Sequence, residues 1–275
     1  MAKGTKGGAL APADDDLSLK KISPSDTGGL DEDSAKDLLK KDVERLAELH
    51  DLLYAARSHA LLIVLQGMDT SGKDGTVRHV LQGLSPLGTS VHSFKQPTPE
   101  ELRHDFLWRV HQVVPELGAI GIFNRSHYED VLVTRVHGQI SSRRAHDRMR
   151  AIRHFERHLS DEGVVVRKFF LHISEDEQAE RIEERLKDPR KRWKYSASDL
   201  EERSYWDDYQ AAYEDAIRRT STAECPWYVI PADHKWYRNL AIARILVETL
   251  EELHLEWPEP EVPSLESVEQ KLDET

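Results

Sequence analysis

The residues best suited to chemistry stand together in Gly67-Met68-Asp69-Thr70-Ser71-Gly72-Lys73, where two glycines flank four residues and a lysine follows directly. That is the spacing of a phosphate-binding loop. The glycines let backbone N–H groups close on an anion, and Lys73 brings a mobile positive charge. A helix expected to open near Asp74 aims its positive N-terminal end at the same place. On this spacing Gly67, Ser71, Gly72, Lys73, Gly75 and Thr76 are the candidate phosphate contacts. The bland alternative is a strand-to-helix turn that simply needs glycine, and the order strand, loop, lysine, helix argues against it.

The loop departs from its usual form in one place. Ser or Thr normally follows the lysine and binds magnesium through its hydroxyl, whereas this chain has Asp74 there and a further carboxylate, Asp69, inside the loop. A bare carboxylate repels phosphate unless a divalent cation stands between them. Asp69 is therefore the candidate for holding Mg2+, directly or through water. Asp74 is equally well explained as an acidic residue favoured by the helix dipole.

A second cluster, Asn124-Arg125-Ser126-His127-Tyr128-Glu129-Asp130, ends the apolar run Gly118 to Phe123. Many phosphate-loop proteins carry an acidic magnesium partner at the position of Asn124. The planar fork of Arg125 suits phosphate oxygens, and Glu129 offers the carboxylate that Asn124 lacks, making it a second candidate metal contact. Ser126 and Glu129 also have the spacing of a helix cap. Further on, Arg181 to Lys194 holds seven basic residues in fourteen positions, Arg185, Arg190, Lys191 and Arg192 among them, and is interrupted by Pro189. Such a run is either a solvated face or a lid that closes over phosphates. Lys95, after a short strand, reads equally as a phosphate contact and as a loop lysine.

The elements that must position these groups follow from periodicity. Leu61 to Leu65 is a strand buried on both faces. Further strands are expected at Ser90 to Phe94, Gly118 to Phe123, Val164 to Ile173 and Pro226 to Pro231. Leu39, Val43, Leu46, Leu49 and Leu53 step at helical spacing, so a long amphipathic helix leads into the first strand, its stripe covering a domain face or a second subunit. A helix after the loop is expected to run until Pro86 and Gly88 end it, and another spans Glu100 to Val114. Helical spacing also covers Arg135 to Arg157 and onward to Leu159. Ser174 to Glu177 is a capping box, and a helix from Ser198 or Asp199 to Arg219 carries Tyr205, Trp206, Tyr209 and Tyr213 as a core stripe. Asp233 is expected to cap the last helix. Strands alternating with helices, a phosphate loop on the first strand and a basic lid after a later one predict a three-layer α/β fold with a central parallel sheet. Residues 1–30 read as a flexible N-terminal arm, 31–255 as the phosphotransferase domain with a lid at about 181–200, and 256–275 as a loose tail.

A formal net charge of −12, with 32% of residues charged, argues against nucleic acid or an acidic membrane as partner. An anionic substrate must meet a local basic cluster. The single cysteine, Cys225, precludes an internal disulfide framework, no apolar run reaches the length of a membrane span, and the first residues do not resemble a signal peptide. A cytoplasmic protein is expected.

Taken in order, Gly67 to Gly75, Phe123 to Asp130, Arg185 to Lys194, and Pro226 to Asp233 with Trp236-Tyr237-Arg238-Asn239 resemble the polyphosphate kinase 2 family, whose fold is similar to thymidylate kinase. The resemblance spans about Leu39 to Leu250. It implies magnesium-dependent phosphoryl transfer between inorganic polyphosphate and a nucleotide, in a homo-oligomer, either dimer or tetramer. By position, Lys73 and the loop amides would hold phosphate, Asp69 would anchor Mg2+, and Arg125 and Arg185 would stabilise the transferring group. Many members carry Asp at the position of Asn124 and Asn at that of Glu129. The swap resembles the subgroup that phosphorylates both AMP and ADP, implying conversion of AMP to ADP to ATP and leaving the second metal contact between Glu129 and the nucleotide. Two alternatives stay open: a nucleoside-monophosphate kinase with ATP as donor, and a nucleotide- or polyphosphate-binding regulator without turnover.

Overall fold

In the computed structural model, which describes residues 12–14, 16–195, 197–259 and 272, every residue of β1 (Ala60–Gln66) is buried. A strand this apolar must lie inside a sheet covered on both faces. β1 is indeed the central strand. It pairs in parallel with β3 (Ile120–Asn124) on one side and β4 (Val164–His172) on the other. β2 (Thr89–Ser93) and β5 (Trp227–Pro231) complete the order β2-β3-β1-β4-β5, all parallel. Alternate residues of β1 feed two cores. Leu62 and Val64 join Phe123, Met149, Phe170, Tyr213 and Trp227 on one face, while Leu61, Ile63 and Leu65 join Ile122, Leu171 and Ile230 on the other.

The first core is closed by α5 (Ser142–Asp161) and α8 (Trp206–Thr220). The second is closed by α1 (Glu32–Ala56) and α9 (Lys235–Glu251), which pack on each other. α1 opens where the Asp31 carboxylate accepts from the Ser34 N–H, and it buries Val43, Leu46, Leu49 and Leu53. Its leucine stripe thus covers a domain face. Each such leucine stabilises the fold by about 1.5–3 kcal/mol. This three-layer arrangement matches the predicted fold class and gathers the loops after β1, β3, β4 and β5 at one edge, where open parallel sheets bind ligands.

Several expected helices differ in extent. α2 (Lys73–Val80) stops short of Pro86. Buried His50 captures the chain beyond it, accepting from the Ser85 N–H at 3.3 Å and donating to the Gly88 carbonyl at 3.1 Å. The predicted helix from Glu100 to Val114 is a short 3₁₀ turn, Glu101–Arg103, and the single turn α3 (Trp108–His111). Thr98 and Glu101 cap each other, and Asp105 accepts from the Leu107 N–H, each diverting backbone groups from a continuous helix. The basic stretch after β3 divides into α4 (Val133–Val136) and α5, with Gly138 in a left-handed conformation and Ser141 capping α5 between them.

α6 (Glu175–Lys187) begins at the predicted Ser174 cap, whose hydroxyl accepts from the Glu177 N–H. The following helix is broken into α7 (Ala197–Arg203) and α8, with Ser204 bonding back to the Glu201 carbonyl at the break. Tyr209 and Tyr213 are buried in the first core and Tyr205 and Trp206 pack against it, as expected of a core stripe. Asp233 does not cap α9; its carboxylate accepts from the Ser174 N–H instead, tying the loop after β5 to the start of α6. Of the N-terminal arm, the described part lies against the domain: Leu19 is buried, Ala13 N–H donates to the Trp227 carbonyl, and Asp233 N–H donates to the Pro24 carbonyl. The predicted tail falls mostly outside the described residues. Among those described, no helix is long and apolar enough to cross a membrane.

Candidate active site

The loop between β1 and α2 takes its shape from two glycines. Gly67 (φ 150°) and Gly72 (φ 106°) hold conformations that side chains rarely adopt. A Cβ on Gly67 would meet Ser71 Oγ at 2.7 Å and the Leu171 carbonyl at 2.8 Å. Lys73 opens α2 and curls back over the loop, donating from Nζ to the carbonyls of Gly67 and Met68 at 2.7 and 3.1 Å. Burial, with the Arg125 cation adding to it, lowers its pKa to about 8 against the partial opposition of Asp69, Glu129 and Asp74. Ser71 Oγ and Thr76 Oγ1 are buried without a hydrogen-bond partner among the described residues, as hydroxyls awaiting an anion would be.

β3 ends in register with β1, Asn124 opposite Leu65, which brings the second cluster to the loop. Arg125 adopts a left-handed backbone (φ 63°), a conformation non-glycine residues hold only when their surroundings enforce it. Its N–H donates to the Leu65 carbonyl. The bend sends its side chain back to the loop, where Nη2 donates to Asp69 Oδ1 at 2.7 Å and Nη1 stands 3.8 Å from Glu129 Oε2. Burial opposes the charge on Arg125, but Glu129 and Asp69 outweigh it and hold the guanidinium's pKa above its ordinary value. Burial raises the Glu129 carboxyl, and Arg125 and Lys73 only partly offset it. Asn124 donates to Asp74 Oδ1 at 2.9 Å.

Residues 127–130 form a 3₁₀ turn instead of the opening of a longer helix. Ser126 caps that turn through the Tyr128 N–H and accepts from Gln66 Nε2. The Glu129 side chain faces Arg125, so the capping-box alternative does not describe it. Beneath the turn, Lys168 and Glu156 form a fully buried ion pair that also holds Tyr128 Oη, with His127 Nε2 on Glu156 at 3.3 Å.

Asp69, Lys73, Arg125 and Glu129 therefore converge from two loops. Arg185 lies on α6, partly exposed. Arg190 and Lys191 both pair with Asp188, and Arg192 Nε donates to the Leu186 carbonyl. Lys95 follows β2 at the sheet edge, exposed, its carbonyl accepting from Arg109. Among the described residues, Arg190, Lys191, Arg192 and Lys95 do not hydrogen-bond to the loop. Sequence reasoning missed the residues that buttress it. Arg181, counted there with the basic run, is turned inward and donates to the carbonyls of Thr70, Ser71, Ala232 and Asp233. Gln178 donates to the Asp69 carbonyl and Arg238 to that of Ser71. An arginine in the first turn of α9 beside the apolar stretch Leu240 to Ala243, as Arg238 is, was the available signal.

Among the described residues no set of three or more metal-ligating side chains comes together. Magnesium bound with a phosphorylated substrate needs only one or two carboxylates, the rest being phosphate and water. Asp69 and Glu129, drawn to the same guanidinium, suit that requirement.

A doubly covered parallel sheet with this loop and these converging charges defines a phosphotransferase of the phosphate-loop kinase class. Residues 29–257 match the family model for polyphosphate kinase 2, and the chain belongs to that family. It is 53% identical over 248 residues to an AMP/ADP-polyphosphate phosphotransferase of Meiothermus ruber, covering 90% of this chain and 93% of the relative. It is 48% identical to an ADP-polyphosphate phosphotransferase of Rhodopseudomonas palustris, covering 81% of each. The crystal structure of polyphosphate kinase 2 from Arthrobacter aurescens superposes with a TM-score of 0.92 at 41% identity, covering 96% of this chain and 95% of that one.

Proposed function

We propose that this chain moves a phosphoryl group from inorganic polyphosphate to AMP and to ADP, giving ADP and ATP, with Mg2+ as cofactor. The observation that carries the reading is the guanidinium of Arg125 held between Asp69 and Glu129 beside the Lys73 loop, in a chain of this family. Lys73, Ser71, Thr76 and the loop amides hold the donor's phosphates. Arg125 exchanges its carboxylate partner for oxygens of the transferring group, where a planar fork stabilises the charge that spreads in the transition state. Arg185 adds charge from α6, and Arg190, Lys191 and Arg192 meet the more distant phosphates of a polyanion, Lys95 joining them from the edge.

Asp69 and Glu129 would hold the metal, which would supply charge neutralisation at the phosphate oxygens. Cytoplasmic turnover and assembly of copies into a dimer or tetramer complete the reading. The deciding experiment supplies AMP and Mg2+ with either polyphosphate or ATP as donor and follows ADP and ATP. Product from polyphosphate is expected. Turnover with ATP alone would identify a nucleoside-monophosphate kinase, and binding without product from either donor a regulator.

A further inference from the structure

The phosphate loop is held from behind as well as faced from the front. Arg238, in the first turn of α9, is 2% exposed and directs its guanidinium at the loop. Nη1 donates to the Ser71 carbonyl at 3.3 Å, while Nε and Nη2 donate to Oδ1 of Asn239 at 3.2 and 2.8 Å. Two glycines make room for it. A Cβ on Gly72 would stand 1.9 Å from Nη1, and one on Gly75 would stand 3.2 Å from Nη2. Side chain and loop are therefore fitted to each other: a side chain at 72 would occupy the place of the guanidinium, and a methyl at 75 would press on Nη2 and shift it by a few tenths of an ångström.

Two features go beyond packing. In a planar trans peptide the C=O and N–H point in opposite directions, so tying the Ser71 carbonyl to Arg238 aims the Gly72 N–H away from α9. Arg181 fastens the same carbonyl from α6 at 3.2 Å. In addition, among the described residues Arg238 hydrogen-bonds only to a carbonyl and an amide oxygen, with no carboxylate. Burial, and the Arg181 cation beside it, lower its pKa to about 9. A buried cation without a counter-charge is unfavourable in isolation. A neutral donor would pin the carbonyl equally well. A charge kept here is balanced when an anion sits on the other side of the loop.

We propose that Arg238 is a positioning residue for the donor phosphates: in the space left by Gly72 and Gly75 it fixes the direction of the loop amides, and its uncompensated charge strengthens the loop's hold on a polyphosphate anion. The inference rests on the reading of this loop as the phosphate site.

The test compares wild type with Arg238→Met, Arg238→Lys and Gly75→Ala. Binding of tripolyphosphate without nucleotide is measured by calorimetry, and steady-state rates are taken with polyphosphate and AMP varied in turn. Arg238→Met is expected to weaken tripolyphosphate binding and to lower kcat/KM for polyphosphate by about 10²-fold, the scale of a misplaced site, while KM for AMP stays near wild type. Arg238→Lys should recover part of the loss, keeping the charge without the fork. Gly75→Ala covers the case in which Arg238→Met does not fold. Alanine is the better helix former in α2, so a purely structural role predicts an equal or higher melting temperature and unchanged binding. The positioning role predicts weaker tripolyphosphate binding at that same melting temperature, and no additional loss when Gly75→Ala is combined with Arg238→Met. Wild-type tripolyphosphate affinity in either folded single variant overturns the proposal, as does an equal loss for AMP and polyphosphate. A wild-type protein that binds no tripolyphosphate fails earlier and refutes the phosphate-loop reading itself.

Discussion

Arg125 Nη2 donates to Asp69 Oδ1 at 2.7 Å, so one charge pair joins the loop after β1 to the turn after β3. Both side chains are partly exposed. A pair of this kind contributes little to stability, at most about 1 kcal/mol, and its value lies in keeping a carboxylate and a guanidinium together until phosphate separates them. Asp69→Asn is therefore expected to melt within a few degrees of wild type while needing a higher magnesium concentration for half-maximal rate. A metal titration of the folded variant that superimposes on wild type would remove Asp69 from the metal site.

Lys73 combines a cost in folding with a gain in function. Its pKa is about 8 in the folded chain, against 10.5 as the ordinary value. Between these pH values the unfolded chain binds a proton that the folded chain has released, so this group's contribution to stability rises with pH across that window. Below it, the buried charge works against folding. Lys73→Met should thus be no less stable than wild type at pH 7, with any advantage shrinking from pH 8 to 10.5, while turnover falls by several orders of magnitude. In wild type, kcat/KM for polyphosphate should decline as pH rises through about 8, where Lys73 loses its charge. A folded Lys73→Met with near-normal turnover would refute the role given to this residue.

Glu129 is the residue through which acceptor choice is tested. AMP brings one phosphate and cannot chelate a metal through a β-phosphate, so it should depend on a protein carboxylate more than ADP does. Glu129→Asn is expected to depress AMP phosphorylation more than ADP phosphorylation. Rates with each acceptor, taken beside a thermal melt, check this; an AMP-to-ADP rate ratio equal to wild type would sink it.

The pair Lys168 and Glu156 is fully buried beneath the turn that carries Glu129. Removing one partner strands a charge in the interior, so Lys168→Met should cost about 3–5 kcal/mol. Combining it with Glu156→Leu should return much of that loss, because two apolar groups replace two charges. Urea unfolding of both variants measures the difference, and a double variant no more stable than Lys168→Met alone would contradict the account.

What could be read in the sequence was local. β1 announces itself as five consecutive apolar residues, and the loop by glycine spacing within seven positions; neither depends on a distant partner. Asp69, Lys73, Arg125 and Glu129 were found because each sits just after a buried strand, where chain direction alone brings polar residues to one edge. Arg238 stood in the family motif but had no role assigned, because Ser71, the residue that explains it, lies 167 positions away. The expected helix at Glu100 to Val114 failed for a related reason. Arg109 must reach Asp130 at 3.1 Å and the Lys95 carbonyl at 3.0 Å, and tertiary bonds of this kind override helical spacing. Ser126 and Glu129 had the spacing of a capping box, and Ser126 does cap the 3₁₀ turn through the Tyr128 N–H, but Glu129 faces Arg125 instead of returning to Ser126.

The pairing of α1 with α9 has a consequence for how the protein is made. The helix that opens the domain packs most extensively on the helix that closes it, and the segment before α1 bonds to β5 and to the loop beyond it. A growing chain on the ribosome thus lacks the α9 side of the α1 packing until Lys235–Glu251 has emerged, and loop-closure entropy delays that contact further. Synthesis stalled before Lys235 should leave α1 accessible to protease and to chaperones that bind apolar helices, whereas chains released after Glu251 should resist cleavage there. Limited proteolysis of stalled nascent chains of the two lengths distinguishes the cases: equal protection in both would mean that α1 docks without α9.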